Sequence, residues 1–414
     1  MTERFGYVLE TLREGAEFTH YRGRQHGRPT PVLVVALNAE QPSPQSLRRL
    51  EHEYSLEAEL DSAWASRPLA LTRHEGRTTL VLEDPGGVPL DRILDRCQGQ
   101  PMELPRFLRI AIGVTAALGQ FHRRGLIHKD IKPANILVDG ESGLAWLTGF
   151  GIASRLPRER QAPETPEVIA GTLPYMAPEQ TGRMNRSIDS RSDLYALGVT
   201  FYEMLTGTLP FKATDPMGWV HCHVARQADP PSERAKQIAE MISSLVMKLL
   251  AKTAEERYQT AAGLEADLRR CQTEWQANRR IGAFPLGMHD LPDRLQIPER
   301  LYGREQEVRI LIAAYDRVVA QGTTELVLVS GYSGIGKSSV VNELHKVLVP
   351  PRGLFASGKF DQYKRDIPYA TLAQAFQSLI RPDLGTERGQ ALPMAAQPSG
   401  GLGCKRRAHH QSHP

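Results

Sequence analysis

The chain has 414 residues, 41% hydrophobic and 24% charged, with a net charge of +4. This is an ordinary globular mixture with room for two or three domains, and so small a charge gives no reason to expect a nucleic-acid partner. No apolar run reaches the roughly 20 residues of a membrane span, and no basic patch followed by an apolar run marks a signal peptide. The four cysteines (Cys97, Cys222, Cys271, Cys404) lack paired spacing, which argues against a disulfide framework or zinc site and fits a reducing, cytoplasmic setting.

In chain order, "PVLVVAL" (31–37) and "TTLVLED" (78–84) read as strands, with a helix over 46–60 between them. Phe107, Ala111, Val114, Leu118 and Phe121 then recur at spacings of three and four, the mark of a helix with one buried face. Ile238, Met241, Ile242, Leu245, Val246 and Leu249 repeat the pattern. A small β-rich lobe followed by a larger α-rich lobe is expected over residues 1–270. Prolines and weak periodicity place a linker at 271–297. Val308, Leu311, Ile312 and Tyr315 mark a helix. A strand at "ELVLVS" (325–330), a Gly-rich turn and a further helix then open an α/β domain over 298–388. Residues 389–414, rich in Gly, Pro, Ala, His and Arg, cannot bury enough apolar surface to order themselves. The abrupt change there reads as a truncation or a shifted frame. His221, Cys222 and His223 are neighbours on one helix and point different ways, so no metal site is expected of them.

His128, Asp130, Lys132 and Asn135 stand as H-x-D-x-K-x-x-N. Here the chain resembles the Ser/Thr branch of the protein-kinase family, over about residues 6–270. The resemblance implies a two-lobed α+β fold that uses ATP and Mg2+. It makes Asp130 the group that orients the substrate hydroxyl, Lys132 the cation near the transferring phosphate, and Asn135 a magnesium ligand. "GTLPYMAPE" (171–179) resembles the substrate-binding end of a kinase activation loop, with Thr172 on the substrate side and Glu179 expected to pair with Arg257. Asp193 is the buried carboxylate expected to anchor the catalytic loop.

The nucleotide side departs from that pattern. "REGAEFTHYRG" (13–23) carries Gly15 and Gly23 without G-x-G-x-x-G spacing. Val35 stands where the phosphate-holding lysine belongs, which leaves Glu53 without its ion-pair partner. Gly149 replaces the magnesium-binding aspartate in Gly149-Phe150-Gly151. Lys129 replaces the usual arginine beside Asp130, keeping a cation without the planar fork. Asp139 and Glu141 are the nearby carboxylates that could substitute.

"GYSGIGKSS" (331–339) matches G-x-x-x-x-G-K-[ST] between a strand and a helix. Gly331, Gly334 and Gly336 let backbone N–H groups wrap phosphates, Lys337 reaches the β- and γ-phosphates, and Ser338 ligates magnesium. "LYGREQEV" (301–308) and "GKFDQYKRDIPYATLAQAFQSLI" (358–380) are similar to segments of AAA-type signalling ATPases. The chain thus resembles the start of bacterial proteins that join a Ser/Thr-kinase-like domain to an AAA-type ATPase, then to sensor and histidine-kinase modules. No aliphatic run ending in Asp-Asp or Asp-Glu follows Lys337, so weak nucleotide binding and poor hydrolysis are expected. The resemblance implies phosphoryl transfer from ATP to protein Ser/Thr, impaired on its nucleotide side. The alternatives are a pseudokinase docking module and a nucleotide-dependent switch. The expected partner is a protein substrate or docking protein, with no membrane or nucleic acid.

Overall fold

The structure is a computed structural model that describes residues 2–4, 7–25, 30–39, 41–74, 77–155, 171–182, 186–291, 303–332 and 335–346, with isolated positions beyond. The chain divides into the units Met1–Phe355 and Ala356–Pro414, and only isolated positions of the second are described.

Six antiparallel strands form the first sheet: β1 (Thr2–Arg4), β2 (Tyr7–Glu14), β3 (Phe18–Gln25), β4 (Val32–Leu37), β5 (Pro68–His74) and β6 (Arg77–Glu83), in the order β1-β2-β3-β4-β6-β5. Alternation sends Leu33, Val35 and Leu37 of β4 and Leu80 and Leu82 of β6 to one face, where Leu50 covers them. Leu50 comes from α1 (Pro44–Ser55), which starts where Ser43 accepts from the Ser46 amide and Pro44 takes the first turn. This helix stops at Ser55, short of the expected residue 60, because the chain turns at Leu56 and Tyr54.

The second lobe opens with β7 (Val88–Pro89), α2 (Leu90–Arg96) and α3 (Leu104–Arg123). Phe107, Ala111, Val114, Leu118 and Phe121 are all buried, as their spacing predicts. Strands β8 (Ile136–Val138) and β9 (Ala145–Leu147) join β7 in a small sheet beside α3. Helices α4 (Ser190–Thr206), α5 (Pro216–Val224), α6 (Pro231–Arg234), α7 (Glu240–Leu249) and α8 (Ala261–Asn278) complete the lobe. Leu194, Leu197, Phe201, Ile242, Leu245, Leu249, Leu264 and Leu268 share its core. Each such side chain contributes roughly 1.5–3 kcal/mol on burial.

Helix α8 runs past residue 270 to Asn278, and the chain beyond it folds back. Phe284 is buried under the Arg270 guanidinium at 4.0 Å. Asp290 accepts from the amides of Gln259 (2.6 Å) and Thr260 (2.8 Å), at the start of α8. The polar start of the linker expected at 271–297 is therefore held against the helical lobe through residue 290. Residues 292–302 lie outside the described set.

Further on, α9 (Glu305–Gln321) and α10 (Lys337–Asn342) form, but the strand expected at 325–330 does not. Leu326 and Leu328 are 93% and 87% exposed. A strand exists only by pairing, and among the described residues none pairs with this segment.

The Glu179–Arg257 pair forms and is fully buried. Arg257 donates through Nη1 and Nη2 to both Glu179 oxygens at 2.6 and 3.0 Å, and its other N–H groups reach the carbonyls of Ala251, Arg191 and Lys252. Removing one partner of such a pair strands a charge, so Arg257→Ala is expected to lower stability by about 3–5 kcal/mol, read by urea unfolding. A chain shortened to end at residue 270 is expected to melt below one ending at 291, because it loses Phe284 and Asp290. Equal melting temperatures would remove the stabilising role of the 279–290 segment.

Candidate active site

The catalytic loop hangs from α4. Asp193, with no exposed side chain, accepts from the backbone amides of His128 and Lys129 (2.8 Å each) and faces His122 Nε2 at 2.9 Å. These bonds hold Lys129 at φ 66°, a left-handed conformation that costs a non-glycine residue about 1–2 kcal/mol. The Lys129 carbonyl accepts from Gln180 Nε2 at 2.7 Å, which ties the loop to the 171–182 segment. His128 is buried, with Nε2 on the Thr148 carbonyl and Nδ1 accepting from the Asp130 amide. Burial holds its pKa below the ordinary value, despite the opposing pull of Asp193 and Asp130.

Asp130, Lys132, Asn135 and Thr172 meet in one hydrogen-bonded cluster. Lys132 Nζ donates to Asp130 Oδ2 at 2.7 Å and to Thr172 Oγ1 at 2.5 Å, and Thr172 Oγ1 donates to Asp130 Oδ1 at 2.8 Å. Asn135 Nδ2 donates to both the carbonyl and Oδ2 of Asp130. The carboxylate is thus fixed on both oxygens, and a hydroxyl beside it would meet a preorganised acceptor. Nearby, Tyr175 Oη donates to Glu203 Oε2 at 2.7 Å.

On the other side of the cleft, Val35 sits opposite His20 in the β3–β4 register and packs into the apolar cluster with Leu50. Glu53 is 5% exposed; it accepts from the amides of Phe150 and Gly149, and its Oε1 has no hydrogen-bond partner among the described residues. Burial pushes its carboxyl up to about 7. Phe150 packs inward against Phe121 and His128. Gly149 adopts φ +80°, and a Cβ placed there would stand 2.9 Å from Asn135 Cγ. Asn135 therefore fills the space into which an aspartate at 149 would project.

Asp139 and Glu141 lie in the β8–β9 turn, where Asp139 accepts from the Glu141 amide and the Ser142 hydroxyl; neither lines the cleft. No group of three His, Cys, Asp or Glu residues among the described ones could hold a metal. In the cleft, the donors expected for magnesium are reduced to Asn135 Oδ1, because Nδ2 is committed to Asp130 and Gly149 brings no side-chain oxygen, so the ligand pair that the resemblance implies is incomplete. The cleft is also lined by Arg13, Glu17, His20 and Arg49, which the sequence reading did not single out. Arg49 had a legible signal: it precedes Glu53 by four residues, so both share a helix face.

At the second phosphate motif, Gly331 and Gly336 have φ of 151° and 93°, and Lys337 and Ser338 open α10. Lys337 Nζ donates to the carbonyls of Gly331 (2.9 Å) and Tyr332 (2.8 Å), so the loop already wraps its lysine. These residues fit a nucleotide's phosphates. Gly334 lies outside the described residues.

A β-sheet lobe, a helical lobe and a catalytic loop anchored by a buried aspartate define a protein-kinase fold. The protein kinase domain family matches residues 8–268 and the AAA ATPase domain family residues 300–408. The chain belongs to the protein kinase family and carries an AAA ATPase domain behind the kinase domain. It is 39% identical over 168 residues to the serine/threonine-protein kinase PknB of Mycobacterium leprae, covering 41% of this chain and 26% of that protein. With PknB of Mycobacterium tuberculosis it shares 37% over 189 residues, 46% of this chain and 29% of that one. With hybrid signal transduction histidine kinase G of Dictyostelium discoideum it shares 27% over 365 residues, 67% of this chain but 10% of that protein. The chain thus spans less than a third of the length of each of these relatives. Kinase and AAA ATPase domains generally use ATP and Mg2+. Among the described residues no helix is long and apolar enough to cross a membrane.

Two expectations follow from the cleft. Gly149→Asp is expected to lower stability by about 1–2 kcal/mol for the backbone alone, with a further loss from the Asn135 contact, and to create no magnesium-dependent nucleotide binding. Urea unfolding beside Gly149→Ala, with titration by Mg2+ and ATP, separates backbone strain from the carboxylate. Glu53 gives a pH dependence. The folded chain keeps the Glu53 proton to about pH 7, whereas its ordinary value is 4.5. Between those values the folded state binds more protons, so stability is full below the lower value and falls as pH rises through the upper one. Glu53→Gln is expected to remove that loss, about 3 kcal/mol when complete, read as the difference in unfolding free energy between pH 5 and pH 8.

Proposed function

We propose that this is a cytoplasmic signalling protein whose kinase-fold domain serves as a docking module without efficient phosphoryl transfer from ATP. The P-loop segment supplies its nucleotide-binding function. The observation that carries this reading is Gly149, with its left-handed backbone and with Asn135 packed where a metal-binding carboxylate would project. Loss of one preorganised electrostatic group typically costs about 10²–10³ in rate, and here the strand cation is missing too, at Val35. The substrate side supports docking: Asp130, Lys132 and Thr172 keep a connected surface, joined through Lys129 and Gln180 to the segment ending at Glu179. A protein presenting a Ser or Thr hydroxyl would meet that surface. The relatives named as serine/threonine-protein kinases and as a hybrid signal transduction histidine kinase favour a signalling role.

The test is incorporation of labelled phosphate from Mg2+–ATP by the full chain, into itself and into a general Ser/Thr acceptor protein. The expected result is no incorporation above that of Asp130→Asn. Robust incorporation that Asp130→Asn abolishes would show an active kinase and overturn the reading. Lys337→Ala is expected to remove most ATP binding by the full chain in the presence of Mg2+.

A further inference from the structure

The chain after α8 turns back at Arg279 and lies against the lobe it has just left, held at several points as a bound peptide would be. The Gly282 amide donates to Glu274 Oε2 at 2.8 Å, and Phe284 is buried under Arg270. The Gly287 amide donates at 2.7 Å to Asp267 Oδ2, which also accepts from the Tyr258 hydroxyl at 2.6 Å. Asp290 comes last and uses both oxygens. Oδ2 accepts from the Gln259 amide at 2.6 Å, and Oδ1 from the amide and hydroxyl of Thr260 at 2.8 Å each. The seat is shaped for this contact, since a Cβ at Gly263 would stand 2.5 Å from Asp290 Cβ. Just past it Leu291 is 78% exposed, and the chain leads on to α9 and the P-loop.

Gln259 connects this seat to the 171–182 segment. Its backbone is held by Asp290, while its side chain accepts from Arg191 Nη1 at 2.9 Å and donates to the Arg257 carbonyl at 2.8 Å. Arg257 in turn holds both oxygens of Glu179 and donates to the Arg191 carbonyl, and the Ser192 hydroxyl donates to Glu179 Oε1 at 2.7 Å. Gln180, the next residue, reaches the Lys129 carbonyl of the catalytic loop. An unbroken path of hydrogen bonds therefore runs from Asp290 to the segment that carries Thr172. Arg257, Glu179 and Gln180 are almost fully buried, so a partner lost along the path is not simply replaced by water.

We infer that the segment joining the two domains is a latch that controls the order of the 171–182 docking segment, with Asp290 as its positioning residue. The inference rests on the reading of that segment as a docking surface and names how the surface is regulated. Asp290 is the contact nearest the P-loop side, so a pull along the chain from that side reaches it first. When it leaves, the amides of Gln259 and Thr260 lose their acceptor, Gln259 loses its fixed backbone, and Arg191 and Arg257 lose a set partner beside Glu179. The coupling is reciprocal: a protein that docks on the ordered 171–182 segment also favours the seated latch by the same factor.

The test is amide hydrogen exchange of the full chain, read by mass spectrometry, with two variants that open the latch from opposite sides. Asp290→Ala removes the acceptor, and Gly263→Ala pushes Asp290 off its seat while favouring the helix itself. Both are expected to speed exchange at 171–182 and 254–264 by at least about threefold, with α3 and β4 unchanged. The double variant is expected to add nothing to either single one, because both open the same contact. Should Asp290→Ala fail to fold, Gly263→Ala decides the matter. Unchanged exchange at 171–182, or an equal rise throughout the chain that follows a fall in Tm, shows a merely structural strap and overturns the inference. Neither nucleotide nor acceptor protein is present, so this result stands apart from the labelled-phosphate assay: an active kinase would overturn the docking reading and leave the latch measurable.

Discussion

The buried Asp193 carboxylate is the contact on which the catalytic loop depends. It lies on α4, whose flanks are packed almost entirely within the helical lobe, so its position is set by the core. From there it fixes two consecutive backbone amides and forces Lys129 into a conformation that a free loop would leave. That turn aims Asp130 and Lys132 at Thr172. The same anchoring reaches the 171–182 segment through Gln180, and Arg257 locks the far end of that segment through Glu179. Substrate-side geometry therefore follows from helix packing, and it survives whatever happens in the β-sheet lobe.

The nucleotide side has changed in a connected way. Val35 is not an isolated substitution, because it has joined the apolar cluster under Leu50. Glu53, left without a cation, keeps its bonds to the amides of Phe150 and Gly149 and so still positions α1 against the Gly149-Phe150-Gly151 turn. Gly149 then permits a left-handed backbone that brings Asn135 close. Val35 and Gly149 are each packed against their neighbours, so placing a longer side chain at either position is expected to meet resistance from the others. The cations that line the cleft come from α1 (Arg49), the end of β2 (Arg13) and the catalytic loop (Lys132).

The two phosphate motifs differ in how much they need from the rest of their domain. The P-loop helix starts at Lys337 with Gly331 and Gly336 at positive φ, a local property of the backbone that glycine permits. The strand before it is a cooperative object, and Leu326 and Leu328 are exposed, with no pairing strand among the described residues. A local motif is thus shaped while, among the described residues, no strand pairs with the segment before it.

Much of the fold was legible. The 3.6-residue spacing in α3 and α7, the alternation in β4 and β6, and H-x-D-x-K-x-x-N all depend on neighbours close in sequence, and they pointed to two lobes and to the Asp130 cluster. The absences at Val35 and Gly149 were equally readable, since a motif shows what is missing as well as what is present. What the sequence alone could not decide was where long-range partners meet. The Arg22–Asp84 clamp joins residues 62 apart, and Asp290 caps a helix that begins about 30 residues earlier. Whether Asn135 leaves room beside Gly149 depends on a backbone angle and on a contact across the loop. Those outcomes belong to tertiary structure, because they are set by strand register and by the docking of helices, and neither is written in any short stretch of chain.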